Sequence, residues 1–365
     1  MIYVDNAATS FFKAPGIAGA LEEYLKNPGN PGRGTHPAAM DAARMVLDTR
    51  IKLADFFGCS FSRVIFTGGI TESLNTVIRG LLCEKDHILT TFWEHNSVLR
   101  PLYRLGCELS VCDASVEEFR SRVRPNTKAV ILNHVSNVTG EIHPLRDIGA
   151  FCRERGLLFI VDAAQSAGLL PISMEEDGID ILCFAGHKGL LGLPGIGGIC
   201  LKEDIPVAPL KVGGSGVRSF EREHPSQYPS ALEAGTLNVP GILSLNCALD
   251  YLKERGMESI LAHERELAEE FCSRLVSCES VTIYRRPEKD YVGIAALNIR
   301  GKDAGWVSDQ LSGRYGIETR AGAHCAPLVH GHYGTESMVR FSFGLNNTGA
   351  DAAACARAVE ELAGE

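Results

Sequence analysis

Hydrophobic and polar positions alternate along this chain in two rhythms. Segments at 64–66, 88–91, 109–112, 129–135, 157–161, 181–184 and 198–201 read as strands, and the uninterrupted apolar runs 157–161 and 181–184 among them as strands buried on both faces. Most are separated by stretches whose apolar residues recur every three or four positions, which predicts helices. From 37 to 57, Met40, Ala43, Leu47, Ile51 and Ala54 follow that spacing and Gly58 supplies a stop; Leu145, Ile148 and Cys152 line a second helix that Gly156 ends. Strand and helix in alternation predict an α/β fold built on a mainly parallel seven-stranded sheet. Between 202 and 240 the rhythm breaks into loops containing Gly, Pro and Ser, the composition of a segment that builds a site rather than a core. A helical stretch from 242 to 276, interrupted near Gly256, leads to a strand at 292–299, a helix at 304–315, a strand at 339–343 and a final helix to 362. These form a small α+β C-terminal layer. The expected organisation is a large domain over 14–245 and a small domain made of 1–13 and 246–365.

Composition narrows the function. A chain of 365 residues with 45% hydrophobic content can bury a large core. Its formal charge of −9 is spread without a basic cluster, which argues against nucleic acid or an anionic membrane as partner. The start, Met1-Ile2-Tyr3-Val4-Asp5, has no positive region ahead of an apolar core, and no run approaches membrane-spanning length, so a cytoplasmic protein is expected. The twelve cysteines are scattered, with no C-x-x-C pair, and Cys152, Cys183, Cys200 and Cys247 lie in apolar patterns. Most therefore read as small core residues in a reducing compartment.

The candidate chemistry sits at strand ends. Asp162, in Val161-Asp162-Ala163-Ala164-Gln165, and Lys188, in Phe184-Ala185-Gly186-His187-Lys188, fall just past two apolar runs, where open α/β sheets bind ligands. A lysine there can hold the aldehyde of pyridoxal 5'-phosphate, and a carboxylate can keep the pyridine nitrogen protonated. Gly68-Gly69-Ile70-Thr71 joins a strand to a helix and can offer backbone N–H groups and a hydroxyl to phosphate. No Gly-Lys-Ser/Thr follows, so it is not a Walker loop.

In order along the chain, these segments resemble the class V aminotransferase group of pyridoxal phosphate enzymes, of fold type I, and within it the cysteine desulfurases and selenocysteine lyases. The resemblance starts at Tyr3-Val4-Asp5-Asn6-Ala7-Ala8-Thr9 and passes through Thr67–Ser73, Glu94-His95-Asn96 and His134–Gly140. It continues over Asp162–Gln165, His187-Lys188, Glu233-Ala234-Gly235-Thr236, Arg320–Cys325 and Arg340. It implies that Gly69, Ile70, Thr71 and His187 contact phosphate, that His95 stacks on the ring and helps move protons, and that Gln165 meets the phenolic oxygen. Asn137 would lie beside Gln165 or near the substrate carboxylate. Thr236 would reach the phosphate of a second subunit, which implies a homodimer. Relatives commonly carry a hydroxyl residue where this chain has Ala185; losing one hydrogen bond to a charged phosphate weakens binding by about 1.5–3 kcal/mol unless another donor replaces it.

Substrate recognition calls for a guanidinium fork, and Arg340, flanked by apolar residues, is the first candidate, with a structural ion pair to a small-domain carboxylate as the alternative. Arg320 matches a second arginine. Arg320-Ala321-Gly322-Ala323-His324-Cys325-Ala326-Pro327 resembles the desulfurase loop whose cysteine accepts sulfur from L-cysteine, leaving L-alanine, with Arg320 and His324 placed to lower the Cys325 pKa. For L-selenocysteine the weaker carbon–selenium bond makes that thiol dispensable. Transaminases, epimerases and kynureninase-like hydrolases share the cofactor residues and stay open, as does an acceptor protein for the sulfur or selenium. A rival reading makes Cys325, His324, His330 and His332 a zinc site; its spacing matches no familiar finger and no metal is expected.

Overall fold

A computed structural model describes residues 1–32, 34–202 and 205–365 of the chain. In chain order the elements begin with strand β1 (Ile2–Tyr3) and helices α1 (Ile17–Lys26) and α2 (Pro37–Phe57). Then β2 (Val64–Thr67), α3 (Ile70–Leu81), β3 (His87–Thr91), α4 (Asn96–Leu105), β4 (Glu108–Cys112) and α5 (Val116–Arg120) alternate. They are followed by β5 (Thr127–Asn133), α6 (Leu145–Arg155), β6 (Leu158–Asp162), β7 (Ile181–Ala185) and β8 (Gly197–Leu201). These strands form one seven-stranded sheet in the order β2-β8-β7-β6-β5-β3-β4, parallel except for β8, which runs against both neighbours.

The uninterrupted apolar runs have a direct cause. Successive side chains of a strand point to opposite faces, and both faces of this sheet are covered. Val130, Leu132, Phe159, Val161, Leu182 and Phe184 belong to one hydrophobic cluster. Their neighbours Ala129, Ile131, Ile160, Ile181 and Cys183 belong to the other. All seven expected strands are present, and α2 spans the predicted residues, with Gly58 closing it at φ 70°.

The chain continues through α7 (Val239–Arg255), α8 (Met257–Leu275), β9 (Val281–Ile283), β10 (Ile294–Ile299) and α9 (Ala304–Tyr315). It ends with β11 (Ile317–Glu318), β12 (Arg320–Gly322), α10 (Pro327–Tyr333), β13 (Met338–Ser342) and α11 (Gly349–Gly364). A four-stranded antiparallel sheet, β12-β13-β10-β9, carries α8, α9 and α11 around a core of Leu267, Phe271, Leu311, Phe341 and Val359. Helix α7 packs on α1 and α2, and its Ile242, Leu245, Leu249 and Leu252 join the core of the large sheet. The first residues stitch the two layers together: β1 pairs with β11, Val4 lies in the small core, and Ala7 lies in the large one.

One stripe read from the sequence turns outward. Along α2 the core takes Ala39, Ala42, Val46, Leu53 and Phe57, while Met40, Leu47 and Ile51 are 42%, 46% and 41% exposed. Among the described residues no helix is long and apolar enough to cross a membrane, and the twelve cysteines are all free.

Candidate active site

Adjacent parallel strands bring Asp162 and Lys188 together. Asp162 ends β6 opposite Cys183 of β7, and Lys188 lies three residues beyond the end of β7. The turn that carries the lysine is held by Gly186 N–H to Ile196 O (2.9 Å), Gly192 N–H to Gly186 O (2.8 Å) and Leu191 N–H to Lys188 O (2.8 Å). Asp162 is buried and its Oδ1 accepts Ala164 N–H at 2.9 Å; Oδ2 takes no hydrogen bond among the described residues. Burial raises the Asp162 pKa, and the Ala164 N–H and the Lys188 charge oppose that rise. Burial lowers the Lys188 amine to about 8 against the pull of Asp162, with Arg340 and Arg320 pushing the same way as burial.

The start of α3 leaves backbone donors open. Gly69, at φ 142°, caps α3 in a conformation that favours glycine, and a Cβ there would meet no atom within 4 Å. The first helical acceptor, Gly69 O, takes Glu72 and Ser73 N–H, so the Ile70 and Thr71 N–H groups precede any intrahelical partner. Gly68 N–H is already taken by Glu72 Oε2 at 3.1 Å, and Glu72 pairs with Lys211 at 2.7 Å. From there a hydroxyl chain runs to His95: Thr71 Oγ1 to Ser97 Oγ is 2.8 Å and Ser97 Oγ to His95 Nδ1 is 2.9 Å. His95 also caps α4 by accepting Ser97 N–H at Nδ1, which leaves Nε2 to carry the ring proton. Burial, then the charges of Lys188 and Arg320, lowers its pKa to about 4, so the ring is neutral.

His187 and Gln165 are tied to the N-terminal segment. His187 O accepts from Thr9 Oγ1 (3.3 Å), Ser10 Oγ (3.1 Å) and Lys13 Nζ (3.0 Å), its Nδ1 meets Thr9 Oγ1 at 3.1 Å, and Gln165 Nε2 donates to Ala7 O at 2.9 Å. Ala185 is buried at the end of β7 and presents no hydroxyl. Thr236 is exposed and shares an open groove of about 170 Å³ with Gly68 and Lys211 of its own chain. Its loop is anchored by buried Glu233, which accepts Phe66 N–H at 2.7 Å on the sheet's edge strand and pairs with Arg50 at 2.5 Å.

The second layer supplies the remaining residues. Arg340 is fully buried in β13, donating from Nη1 to Asn137 O (2.8 Å) and from Nη2 to Asp5 Oδ1 (2.6 Å); Arg320 faces it directly from β12. Buried Arg340 Nε and Asn137 Oδ1 have no partner among the described residues. Asn137 Nδ2 donates to His324 O at 2.8 Å, and Asn96 N–H, one residue from His95, donates to Cys325 O at 2.6 Å. The cysteine loop is thereby pinned to the Lys188 side of the molecule at two points. His324 and Cys325 both adopt left-handed backbone, φ 49° and 55°, and Cys325 is exposed.

His324 departs from expectation. Burial, then Arg340, lowers its pKa to about 3, and Nε2 donates to Met338 O at 3.1 Å, so the neutral ring points inward and brings no positive charge to Cys325. The four residues of the zinc reading do not converge either. His332 stacks on Phe92 with centroids 4.1 Å apart, and no group of three or more metal-ligating side chains occurs among the described residues. Sequence reading assigned no role to Asp5, Thr9, Asn96 or Ser97. Asp5 and Thr9 had a signal in the N-terminal motif and Asn96 one in Glu94-His95-Asn96; Ser97 had none.

These features match known proteins along the whole chain. Residues 2–354 match the family described as aminotransferase class-V. A probable cysteine desulfurase of Methanothermobacter thermautotrophicus is 32% identical, covering 100% of this chain and 95% of that protein. A cysteine desulfurase of Haloferax volcanii is 31% identical over 95% of this chain and 86% of its own. Among solved structures, the apo cysteine desulfurase of Thermococcus onnurineus superposes with a TM-score of 0.93 at 31% identity, covering 100% of this chain and 94% of that one.

Proposed function

Because this chain belongs to the class V aminotransferase family, we propose that it is a pyridoxal phosphate-dependent cysteine desulfurase that converts L-cysteine to L-alanine and passes the sulfur to Cys325. The observation that carries this reading is the double anchoring of the Cys325 loop, through Asn137 to His324 O and through Asn96 to Cys325 O, onto the segment after β5, which pairs with the strand of Asp162, and onto the start of α4 beside His95. A transaminase needs no thiol there. The residues present fit the cofactor: an open Gly69 cradle with two N–H groups ahead of any helical acceptor, a buried carboxylate with one free oxygen, and a lysine whose amine is easily deprotonated.

Bound there, the cofactor supplies an electron sink for negative charge developing at the substrate α-carbon. Ile70, Thr71 and His187 would hold its phosphate, and the free Asp162 Oδ2 would accept from its ring nitrogen. Gln165 would meet its phenolic oxygen and neutral His95 would lie against its ring. Lys188, whose amine burial lowers to about 8, would hold the cofactor aldehyde and, once freed from it, would move the α-proton of the substrate. Arg340 and Asn137, with Arg320 nearby, bind the carboxylate. The Cys325 thiolate forms a bond to the substrate sulfur while the carbon–sulfur bond breaks; the electron pair stays with the carbon skeleton, which takes a proton and leaves as alanine. Cys325 keeps the sulfur as a persulfide for an acceptor. Exposed Met40, Leu47 and Ile51 on α2 favour a homodimer in which Thr236 reaches across, and the absence of any spanning helix among the described residues fits a cytoplasmic site of action.

The test is product analysis with both amino acids. Wild type yields alanine with sulfide from L-cysteine in the presence of a thiol reductant, and Cys325→Ala yields none while retaining bound cofactor. Undiminished alanine formation from L-cysteine by the variant would exclude the mechanism. Retention of activity on L-selenocysteine alone would turn the assignment to a selenocysteine lyase.

A further inference from the structure

The guanidinium proposed to bind the substrate carboxylate already has a carboxylate on it. Arg340 Nη2 donates to Asp5 Oδ1 at 2.6 Å, Nη1 is used by Asn137 O, and only Nε, buried and unpartnered, is fully free. Asp5 comes from the far end of the chain and is fixed in place. Val4 N–H donates to Glu318 O (3.0 Å), Ser342 N–H donates to Val4 O (2.7 Å), Asp5 bridges to Ser342, and Tyr3 Oη donates to Asp5 O (3.1 Å). This short segment thus sets Asp5 against β13, two strand positions from Arg340. Across the strand pair Arg320 stands opposite Arg340, and the Asp5 carboxylate opposes the effect of that second charge on Arg340.

A guanidinium offers a carboxylate two planar two-point edges, Nε with Nη2 and Nη1 with Nη2. Both include Nη2, the nitrogen that Asp5 already engages. We propose that Asp5 is a positioning and specificity-setting residue. Resting on the reading of Arg340 as the carboxylate site, Asp5 acts as a resident carboxylate that keeps the fork oriented in the empty site and competes with the substrate's α-carboxylate for Nη2. Competition of this kind is a coupling between two occupants of one group, and such couplings are typically five-fold or more in affinity. The consequence is that Asp5 keeps amino-acid binding weak and product release fast.

The probe is L-alanine, titrated calorimetrically into the cofactor-loaded protein, with steady-state kinetics on L-cysteine alongside. Asp5→Asn preserves size and removes the competing charge: alanine affinity rises about five-fold or more, KM for L-cysteine falls, and kcat does not rise. Asp5→Glu, which keeps a carboxylate, leaves alanine affinity within about two-fold of wild type. A residue that only supports the fold would instead weaken alanine binding in Asp5→Asn or lower kcat at constant KM, and either result overturns the proposal. If Asp5→Asn does not accumulate folded, Asp5→Ser, also uncharged, gives the same reading. Arg340→Gln separates the two levels of the argument: unchanged alanine affinity there refutes the carboxylate role of Arg340, whereas lost affinity in Arg340→Gln with no gain in Asp5→Asn refutes Asp5 alone.

Discussion

Replacing Lys188 with methionine should stabilise the cofactor-free protein at neutral pH. The perturbation removes an amine and keeps an unbranched chain of similar length. In the folded protein the amine pKa falls from 10.5 to about 8, because burial and the nearby Arg340 and Arg320 outweigh the attraction of Asp162. A drop of that size corresponds to about 3 kcal/mol of cost for the charged form at pH 7. Lys188 is only half-buried, so solvent screening reduces this to about 2 kcal/mol. The sign follows from proton linkage. Between pH 8 and pH 10.5 the unfolded chain holds a proton on Lys188 that the folded chain lacks, so wild-type stability rises with pH across that window, and below pH 8 the full cost is present. Urea denaturation of cofactor-free wild type and Lys188→Met, run from pH 7 to pH 10.5, should show the variant ahead by about 2 kcal/mol at pH 7 and the gap closing through the window. A variant that is less stable at pH 7, or a gap that does not change with pH, would refute the placement of a desolvated cation at the end of β7.

Two further outcomes follow from the same geometry. His95, held neutral with a pKa of about 4, should leave no acid limb near 6.5 in the pH profile of kcat/KM; an acid limb at 6.5 that disappears in His95→Gln would contradict the buried neutral ring. Mixed dimers of one Lys188→Ala protomer and one Thr236→Ala protomer should contain one site of wild-type cofactor affinity if Thr236 serves the partner's phosphate, and none if it serves the Gly68 cradle of its own chain.

The centre of the large sheet was legible in the sequence because β6 and β7 are buried on nearly every position, so their apolar runs are unbroken whichever way the residues alternate. The edge elements were not. β9, β11 and β12 are two or three residues long, and what makes them strands is a partner far away in sequence rather than any local pattern. On α2 the periodicity gave the right helix and an outward stripe, since a helix with apolar residues on two faces does not disclose which one the core takes. Asp162 and Lys188 were visible from motif and strand end together. The contact of Arg340 with Asp5 spans 335 positions, and the inward turn of His324 depends on Met338 O, so neither could be read locally.

The most direct measurement is a single turnover. Cofactor-loaded protein is mixed with a limiting amount of L-cysteine without reductant, and free alanine and the mass of the Cys325 peptide are determined together. One alanine is expected for each protomer that gains one sulfur atom, with the added sulfur on Cys325 and on no other cysteine. Alanine released with Cys325 unmodified, or sulfur found on a different thiol, would contradict it.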